Sequence, residues 1–306
     1  MTELGLTAGT RNWLESVGVD VVEVVDRSWA GSDTRVVQLH HRNGGRSFLK
    51  QFKCLDKFTR EINAYGNWLA GFDGRVPRLR FLDRQGLRFL MSDGGECCCS
   101  WEELPPDRQE SLQYLAGGFL RTLHEVEFVD DDELRIGDAV LLRARATQRR
   151  IVERKALGLQ DAFPCTSVEE VTRIVTDIEE IVPLLNRSKR VPCHRDFWKR
   201  NWIWSLGEDE ATDEMRLSVI DFEHARPDLF VFDMMKNWSD AWLDSERQES
   251  AFWDGYGRTL EGDERLLLQR CGALHALQTI LWASEHQQTE FLAQGKALMV
   301  AATGNG

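Results

Sequence analysis

The stretch Pro192–Asn201, Pro-Cys-His-Arg-Asp-Phe-Trp-Lys-Arg-Asn, decides how the rest of this sequence is interpreted. It places His194, Asp196 and Asn201 in an H-x-D-x4-N spacing, followed directly by the apolar run Trp-Ile-Trp. A carboxylate such as that of Asp196 can orient a substrate hydroxyl and accept its proton. The carbonyl oxygen of Asn201 suits a hard cation such as Mg²⁺. The spacing therefore predicts a loop that carries a proton acceptor and a metal ligand.

A second acidic motif follows about twenty residues later. Leu217–Glu223, Leu-Ser-Val-Ile-Asp-Phe-Glu, is an apolar strand that ends in Asp221 and Glu223. A carboxylate at the end of a buried strand suits the metal of a Mg·nucleotide complex. Together, in this order and at this distance, the two motifs predict such a site. The alternative is that His194 and Asp196 cap a turn and that Asp221 ends a strand without a function.

This pair of motifs resembles the catalytic loop and metal-binding segment of the protein-kinase-like fold. Asp-Phe-Glu, in place of the Asp-Phe-Gly of protein kinases, is similar to the aminoglycoside phosphotransferase and choline kinase family. Phe232-Asp233, twelve residues after Asp221, is also similar to that family. The resemblance implies that Asp196 is the catalytic aspartate and that Asn201 and Asp221 hold magnesium. It gives Asp233 the role of bracing the catalytic loop, with His194 and Glu223 in supporting positions.

The first part of the sequence has the pattern of a β-rich lobe. Five apolar or β-branched runs predict strands at Val21–Val25, Arg35–His40, Arg46–Phe52, Val76–Phe81 and Leu87–Met91. The resemblance implies that the turn after the first strand covers the phosphates of a nucleotide with its backbone N–H groups. This turn departs from the family pattern, because it has no G-x-G-x-x-G and Gly31 is its only glycine. Ser32 and Thr34 are candidate hydroxyl donors beside Gly31.

Lys50 stands on a predicted strand between apolar neighbours, where a lysine is costly to bury unless it is paired. Eleven residues later, Glu61 lies in Asp56–Leu69, a stretch with helical periodicity. In the family a strand lysine paired with a helix glutamate holds the α- and β-phosphates, so the resemblance implies this role for Lys50 and Glu61. Lys53 is the competing lysine, but strand alternation places it on the opposite face. Ordinary solvated positions are the alternative for both residues of the pair.

Ser-Asp-Gly-Gly-Glu follows Met91 and is a turn-rich break at the place where the family joins its two lobes. The resemblance implies that the backbone between Met91 and Asp93 hydrogen-bonds the nucleotide base. Cys97–Cys99 come directly afterwards. The chain has seven cysteines, an odd number, and no C-x-x-C pair, which predicts reduced thiols rather than a metal site.

After Pro106 the apolar periodicity is mainly helical. Helices are predicted at 107–124, 136–157, 167–181, 232–242 and 265–295. The sequence therefore predicts an α+β, bilobal, protein-kinase-like fold. Residues 1–93 would form a nucleotide-binding lobe with a five-stranded antiparallel sheet and a helix, and residues 94–306 a mostly helical catalytic and acceptor-binding lobe. Leu120–His124 resembles a leucine–histidine motif of the family, and His124 is predicted to be structural.

The bulk composition limits the partners. The net charge is −12 over 306 residues, which argues against a nucleic-acid partner because phosphate binding needs a basic face. An acidic protein is compatible with a cationic small molecule as its partner. The first ten residues lack a basic region followed by an apolar run, and the sequence has no long apolar segment. We therefore expect a cytoplasmic protein without a membrane partner.

The reaction implied by the resemblance is transfer of the γ-phosphoryl group of ATP or GTP, with Mg²⁺, to a hydroxyl of a small molecule. An antibiotic-like acceptor, with resistance by O-phosphorylation, is the first hypothesis, and a choline or ethanolamine kinase is the alternative. A protein kinase is disfavoured because neither Asp-Phe-Gly nor Ala-Pro-Glu is found at the expected places. A catalytically inactive nucleotide-binding regulator is disfavoured because Lys50, Asp196, Asn201 and Asp221 are all present. The sequence does not distinguish ATP from GTP.

Tryptophans are concentrated in the second half of the chain. Seven of the eleven lie between Trp198 and Trp282. Trp238 and Trp242 are four residues apart and would share a face of a regular helix. One interpretation is that these rings pack the core. The other is that Trp198, Trp238 or Trp242 lines the acceptor site and stacks on a flat or cationic group.

Overall fold

The computed structural model describes residues 5–29, 32–95, 97, 99–130, 132–157, 167–206 and 215–304. The chain divides into two compact units: unit 1 contains Met1–Glu103 and Arg200–Ala225, and unit 2 contains Leu104–Lys199 and Arg226–Gly306. In chain order the elements are α1 (Ala8–Ser16), β1 (Val21–Asp26), β2 (Thr34–His41), β3 (Arg46–Phe52), α2 (Leu55–Asn67), β4 (Leu79–Asp83), β5 (Arg88–Ser92), α3 (Pro106–His124), α4 (Ile136–Ala156), α5 (Val168–Leu185), β6 (Val191–Cys193), β7 (Trp202–Leu206), β8 (Met215–Val219), β9 (Arg226–Asp228), α6 (Met235–Asn237), α7 (Glu246–Tyr256), α8 (Gly262–His286) and α9 (Thr289–Thr303). None of the helices in the described ranges is long and apolar enough to cross a membrane.

A five-stranded antiparallel sheet in the order β1-β2-β3-β5-β4 forms the centre of unit 1. Leu49 of β3 belongs to a buried cluster that includes Leu14 of α1. Phe52 of β3 belongs to a second cluster, which includes Phe58 of α2. Because successive side chains of a strand point to opposite faces, Lys50 shares the second face with Phe52. Strand alternation thus places the Lys50 side chain on the α2 side of the sheet.

The hairpin β7–β8 also belongs to unit 1. Its strands pair in the register Trp202↔Val219 and Trp204↔Leu217. The ring of Trp101 contacts the rings of Trp202 and Trp204, with centroids 6.2 and 6.0 Å apart. These contacts bury the apolar face of the hairpin. Asn201, directly before β7, and Ile220, directly after β8, therefore lie at the same end of the hairpin.

In unit 2, α3 and α7 pack at backbone distance. Gly117 of α3 faces the backbone of Phe252, and Gly255 of α7 faces the backbone of Tyr114. A Cβ atom at either glycine would overlap a carbonyl oxygen of the facing helix, so only glycine permits this approach. α8 packs against α5 and α9, and the short strands β6 and β9 pair antiparallel.

The predicted fold class is confirmed: the first part of the chain forms a five-stranded antiparallel sheet with helices, and the later part is mostly helical. The division predicted at residue 93 differs from the two units in two respects, because it assigns residues 94–103 and Arg200–Ala225 to the second lobe. The β7–β8 hairpin instead packs in unit 1, where the N–H of Val219 donates to the carbonyl oxygen of Arg75 at 2.8 Å. The functional division into a nucleotide lobe and an acceptor lobe stays a prediction.

Two of the predicted helices are not continuous. In place of a helix over 232–242, the chain forms a 3₁₀ turn (Phe230–Asp233), the single turn α6 and a π-helical turn (Trp238–Trp242). The predicted stretch 265–295 is divided between α8 and α9 by Gln287, whose φ is +56°. A left-handed residue ends an α-helix even where the apolar pattern continues. Residues 207–214, which connect β7 and β8, lie outside the described residues.

Candidate active site

Asp233 holds the loop that follows β6. Its carboxylate is buried and accepts hydrogen bonds from the backbone N–H groups of His194 (2.9 Å) and Arg195 (2.5 Å). Arg195 has a φ of +70°, a left-handed conformation that costs energy for residues other than glycine. The two hydrogen bonds fix this conformation just before Asp196. The bracing role predicted for Asp233 and the supporting position predicted for His194 thus have a geometric basis within unit 2.

His124 and Tyr256 extend this network behind the loop. His124 Nε2 lies 3.0 Å from Asp233 Oδ2, and His124 Nδ1 lies 2.9 Å from the Tyr256 hydroxyl. Burial raises the pKa of the Tyr256 hydroxyl above its ordinary value. The leucine–histidine motif marked His124 as structural, in agreement with this position. Sequence reasoning missed Tyr256, because nothing in its local sequence marks it as a partner of a histidine far away along the chain.

Asp196 lies against Lys236 in unit 2. Lys236 Nζ is 2.8 Å from Asp196 Oδ1, and the two side chains are 18% and 22% exposed. The sequence analysis did not identify Lys236. The available signal was a single lysine, three residues after Asp233, that directly follows the apolar pair Met234 and Met235. The carboxylate predicted to accept the substrate proton therefore has a fixed cationic neighbour.

In unit 1, Lys50 brings together residues from three parts of the sequence. The lysine is buried, and its Nζ lies 2.6 Å from Glu61 Oε2, 2.5 Å from Asp221 Oδ1 and 3.5 Å from Glu223 Oε2. Burial alone would lower the pKa of Lys50, but the carboxylates of Asp221, Glu61 and Glu223 raise it. Burial raises the pKa of Glu61 to about 7. The pairing predicted for Lys50 and Glu61 is present, and Asp221 joins it.

Glu223 is held at the edge of this cluster by two further partners. The Thr34 hydroxyl donates to Glu223 Oε2 at 2.7 Å, and Lys57 Nζ donates to Glu223 Oε1 at 2.9 Å. Burial would raise the pKa of Glu223, but Lys50, Lys57 and Thr34 lower it to about 2. Thr34 was a candidate hydroxyl donor to phosphate in the sequence analysis, and the structure instead directs its hydroxyl to this carboxylate. Lys57 was not identified from the sequence as a partner of Glu223.

Asn201 and Asp221 lie at the same end of the β7–β8 hairpin. The backbone carbonyl oxygen of Asn201 accepts a hydrogen bond from the Ile220 N–H at 3.0 Å. This bond lies next to the strand pair Trp202↔Val219. Asp221 has a φ of +69°, a strained conformation of the kind that clusters at functional sites. The sheet register therefore explains why residues twenty positions apart reach one place.

The residues at this place fit a magnesium ion. Ligand oxygens of Glu61, Asp221 and Glu223 all lie within 4.8 Å of one another. Mg²⁺ prefers carboxylate and amide oxygens and keeps several ligands from water and phosphate. The Asp221 side chain is 34% exposed, whereas that of Glu61 is 1% exposed, so Asp221 is the more accessible ligand. Asp221 and Asn201 are the residues that would hold the ion, and its charge would offset the charge of nucleotide phosphates.

The turn between β1 and β2 is described only in part. Gly31 lies outside the described residues. The N–H of Ser32 donates to the carbonyl oxygen of Trp29 at 3.0 Å, and the Ser32 hydroxyl accepts from the Thr34 N–H at 3.0 Å. The nucleotide-binding role of Gly31 and Ser32 stays a prediction.

The segment predicted to meet the nucleotide base begins in the sheet. Met91 is buried in β5, and the N–H of Ser92 donates to the carbonyl oxygen of Arg78 at 2.8 Å. Asp93 is the first residue after the strand, and its carboxylate lies 2.6 Å from Arg46 Nε. The base-binding role of Met91 and Asp93 stays a prediction. Cys98 lies outside the described residues.

The three tryptophans proposed for the acceptor site lie in different surroundings within unit 2. Trp242 is 4% exposed and packs against Phe252 and Trp253, with ring centroids 4.8 and 5.5 Å away. These surroundings support the core interpretation for Trp242 and give no support to an acceptor contact. Trp238 packs on Gly272 of α8, and the two rings do not share a regular α-helical face because Trp238–Trp242 is a π-helical turn. A tryptophan that packs in the core and one that binds a ligand have the same apolar sequence pattern. The sequence alone therefore could not decide between the two interpretations.

Trp198 is the member of this set that lies beside the candidate catalytic residue. Its ring is buried, with Lys236 Nζ 4.5 Å from the ring centroid. The Phe291 ring lies 5.8 Å away. A cation over an aromatic face is stabilised by the ring quadrupole. The cation over Trp198 is a side chain of the protein itself, and the acceptor-binding role of Trp198 stays a prediction.

A comparison with models of protein families identifies the family of this chain. A model described as the phosphotransferase enzyme family, APH, matches residues 26–268, which is most of the chain. The chain belongs to this family. The resemblance stated from the two motifs and the prediction of a phosphotransferase are thereby confirmed.

Solved structures of similar fold include relatives of this family. The structure of APH(2″)-IIia with GDP and kanamycin has a TM-score of 0.69 at 14% identity, covering 98% of this chain and 100% of that chain. The streptomycin–ATP complex of APH(2″)-IIa has a TM-score of 0.67 at 15% identity, covering 97% of each chain. An ethanolamine kinase of Plasmodium vivax has a TM-score of 0.61 at 14% identity, covering 94% of this chain and 85% of that chain. A comparison with curated protein sequences found no match. At these identities the solved structures support the kinase-like fold.

Proposed function

We propose that this protein transfers the γ-phosphoryl group of a nucleoside triphosphate, ATP or GTP, to a hydroxyl group of a small molecule. The observation that carries the proposal is the buried ammonium of Lys50, which contacts both Glu61 and Asp221 in unit 1. A phosphate-binding lysine must be held by carboxylates yet remain next to the metal ligand, and this pairing meets both requirements. The family membership supports the same reaction class.

In this proposal the side chains of unit 1 bind the nucleotide. Lys50, oriented by Glu61, donates hydrogen bonds to phosphate oxygens. Asp221 and Asn201 hold Mg²⁺, which when bound supplies positive charge to the phosphates. Glu223, fixed by Thr34 and Lys57, keeps the Lys50 side of the cluster in place.

Unit 2 supplies the group that acts on the acceptor. The Asp196 carboxylate orients the acceptor hydroxyl and accepts its proton as the oxygen attacks the γ-phosphorus atom. The bond between that phosphorus and the β–γ bridging oxygen breaks, and the nucleoside diphosphate leaves. Asp233 holds the loop that carries Asp196 through the N–H groups of His194 and Arg195. A carboxylate in a fixed loop needs little rearrangement during the reaction, which is the main contribution that a protein makes to phosphoryl transfer.

The acceptor that we propose first is an antibiotic with a free hydroxyl, giving resistance by O-phosphorylation. Its support is the likeness in fold to kinases solved with kanamycin and with streptomycin. The second candidate is a choline- or ethanolamine-type metabolite. It is supported by Asp-Phe-Glu followed by Phe-Asp and by the likeness in fold to an ethanolamine kinase.

A transfer assay tests the proposal. The protein is incubated with Mg²⁺, with ATP or GTP, and with kanamycin, streptomycin, spectinomycin, choline or ethanolamine. We expect a phosphorylated acceptor in mass spectra and slow nucleotide hydrolysis with water as the acceptor, both lost in Asp196→Asn. If neither phosphorylated product nor Asp196-dependent hydrolysis is detected with either nucleotide, the proposed function is wrong.

A further inference from the structure

Lys236 has three neighbours that fix its ammonium group in unit 2. Nζ lies 2.8 Å from Asp196 Oδ1, 4.5 Å from the ring centroid of Trp198 and 5.2 Å from the ring centroid of Phe291. Trp198 is buried, and Phe291 is held in turn by the Trp282 ring at 5.3 Å. An ammonium that rests between two rings and a carboxylate has lost most of its rotamer freedom. Lys236 is therefore a fixed part of the surroundings of Asp196 and not a solvated surface lysine.

Two other cationic side chains of this loop, Lys199 and Arg195, each lie next to a carboxylate in unit 2. Lys199, on the loop itself, is paired with Asp240 at 3.0 Å. Beside Asp196, the Arg195 guanidinium lies 3.5 Å from Asp228 Oδ2.

Asp228 is shared by more cations than it can neutralise. Arg143 and Arg226 also lie 3.2 and 3.3 Å from its Oδ2, so three guanidinium groups surround one carboxylate. Burial would raise the pKa of Asp228, but these three arginines lower it. Within this cluster the charge is positive, although the chain as a whole carries −12.

His275 of α8 responds to the same field. Its pKa is lowered to about 3, first by burial and then by Lys236 and Arg195, while Asp196 acts in the opposite direction with a smaller effect. His275 therefore stays neutral and adds no positive charge of its own. The positive charges that act on His275 are those of Lys236 and Arg195.

We propose that Lys236 positions the Asp196 carboxylate and selects against acceptors with a cationic group beside the reacting hydroxyl. This inference rests on the proposed function, in which Asp196 accepts the proton of that hydroxyl. Lys236 occupies Oδ1, the atom that would attract the ammonium of an amino alcohol, and a second cation there would be repelled. The group of the acceptor that lies next to the reacting hydroxyl is accordingly neutral or anionic. This local arrangement disfavours the cationic acceptor expected from the net charge, and with it the choline- or ethanolamine-type candidate, whose cationic group lies beside the hydroxyl.

Three hexoses that share one ring test the inference: glucosamine is cationic, glucose is neutral and glucuronate is anionic. Their affinities for the full chain are measured by calorimetry without nucleotide, and phosphoryl transfer to each is measured with Mg²⁺ and the active nucleotide. The variants are Lys236→Met, Lys236→Arg and the control Arg270→Met. Arg270 forms an ion pair with Asp177 at 2.6 Å on α8 and α5.

We expect the wild-type protein and Arg270→Met to bind glucuronate more tightly than glucosamine by about tenfold, because one unpaired charge at short range is worth about that factor. Lys236→Met should remove this preference and Lys236→Arg should retain it. If Lys236 were only structural, Lys236→Met would change the stability of the protein but not the ratio of the two affinities. Turnover with glucose should also fall in Lys236→Met, since Asp196 loses the neighbour that orients it.

The inference is overturned if the wild type prefers glucosamine, if the affinity ratio is the same in the wild type and Lys236→Met, or if no hexose binds. A different result would contradict the proposed function alone. In that result the charge preference in binding depends on Lys236, but no phosphoryl group is transferred to any hexose or to water.

Discussion

At the scale of single residues, the contact between Lys50 and Glu61 could be predicted because it is nearly local. The lysine is on a strand, the glutamate is on the following helix, and alternation along β3 puts Lys50 on the α2 side. The contacts of Glu223 with Thr34 and Lys57 could not be predicted in the same way. They join residues 189 and 166 positions apart, and only the packing of unit 1 brings these residues together.

Two substitutions distinguish the proposed metal ligand, Asp221, from the proposed phosphate-binding lysine, Lys50. Asp221→Ala should abolish Mg²⁺-dependent nucleotide binding, because it removes the most accessible carboxylate of the cluster. Lys50→Ala should reduce kcat while a magnesium requirement remains. Nucleotide affinity measured across a Mg²⁺ titration distinguishes the two variants.

Stability serves as the control for this pair. Lys50→Ala leaves buried Glu61 without its ammonium partner and should cost about 3–5 kcal/mol of unfolding free energy. Kinetics are therefore normalised to the folded fraction, measured by urea unfolding. The assignment of Asp221 is contradicted if Asp221→Ala and the wild type give the same Mg²⁺ profile.

At the scale of elements, the regular strands and most helices follow from periodicity, and the irregular segments do not. The segment from Phe230 to Trp242 has the apolar content of a helix but forms a 3₁₀ turn, one α-helical turn and a π-helical turn. Asp233 explains part of this irregularity, since it ends the 3₁₀ turn and bonds to the loop after β6. A long-range hydrogen bond of this kind leaves no periodic signal in the sequence.

Asp233→Asn tests whether this bond holds the catalytic loop. The amide has one acceptor oxygen in place of two, so at least one of the buried N–H groups of His194 and Arg195 loses its partner. Unfolding free energy should fall by about 1–3 kcal/mol. Turnover should also fall, with nucleotide affinity unchanged because the nucleotide-binding candidates lie in unit 1. Urea unfolding and steady-state kinetics measure the two effects.

Asp177→Asn is the matched control for Asp233→Asn, because Asp177 pairs with Arg270 away from the loop. It should change stability by less than about 1 kcal/mol and leave turnover unchanged. Equal effects of the two substitutions on turnover would show that Asp233 does not position the loop.

At the scale of the whole molecule, the two motifs were sufficient to predict the family and the fold class. They did not predict that the β7–β8 hairpin belongs to unit 1 together with the sheet. They also did not reveal that the positive charge of Lys236 lies beside Asp196. The net charge could not reveal it either, because it is a sum over all residues and this is a local contact. The acceptor preference that we propose rests on that local contact, and it is opposite to the expectation from composition.

The turnover number of Asp196→Asn, compared with that of the wild type, tests the central claim most directly. The variant keeps the size and most hydrogen bonds of the side chain but cannot accept the hydroxyl proton. We predict that kcat falls by about 10²–10⁴-fold while nucleotide affinity and melting temperature stay near those of the wild type. A variant that keeps more than about a tenth of the wild-type kcat, well above the residual activity expected for the loss of a general base, would contradict the account.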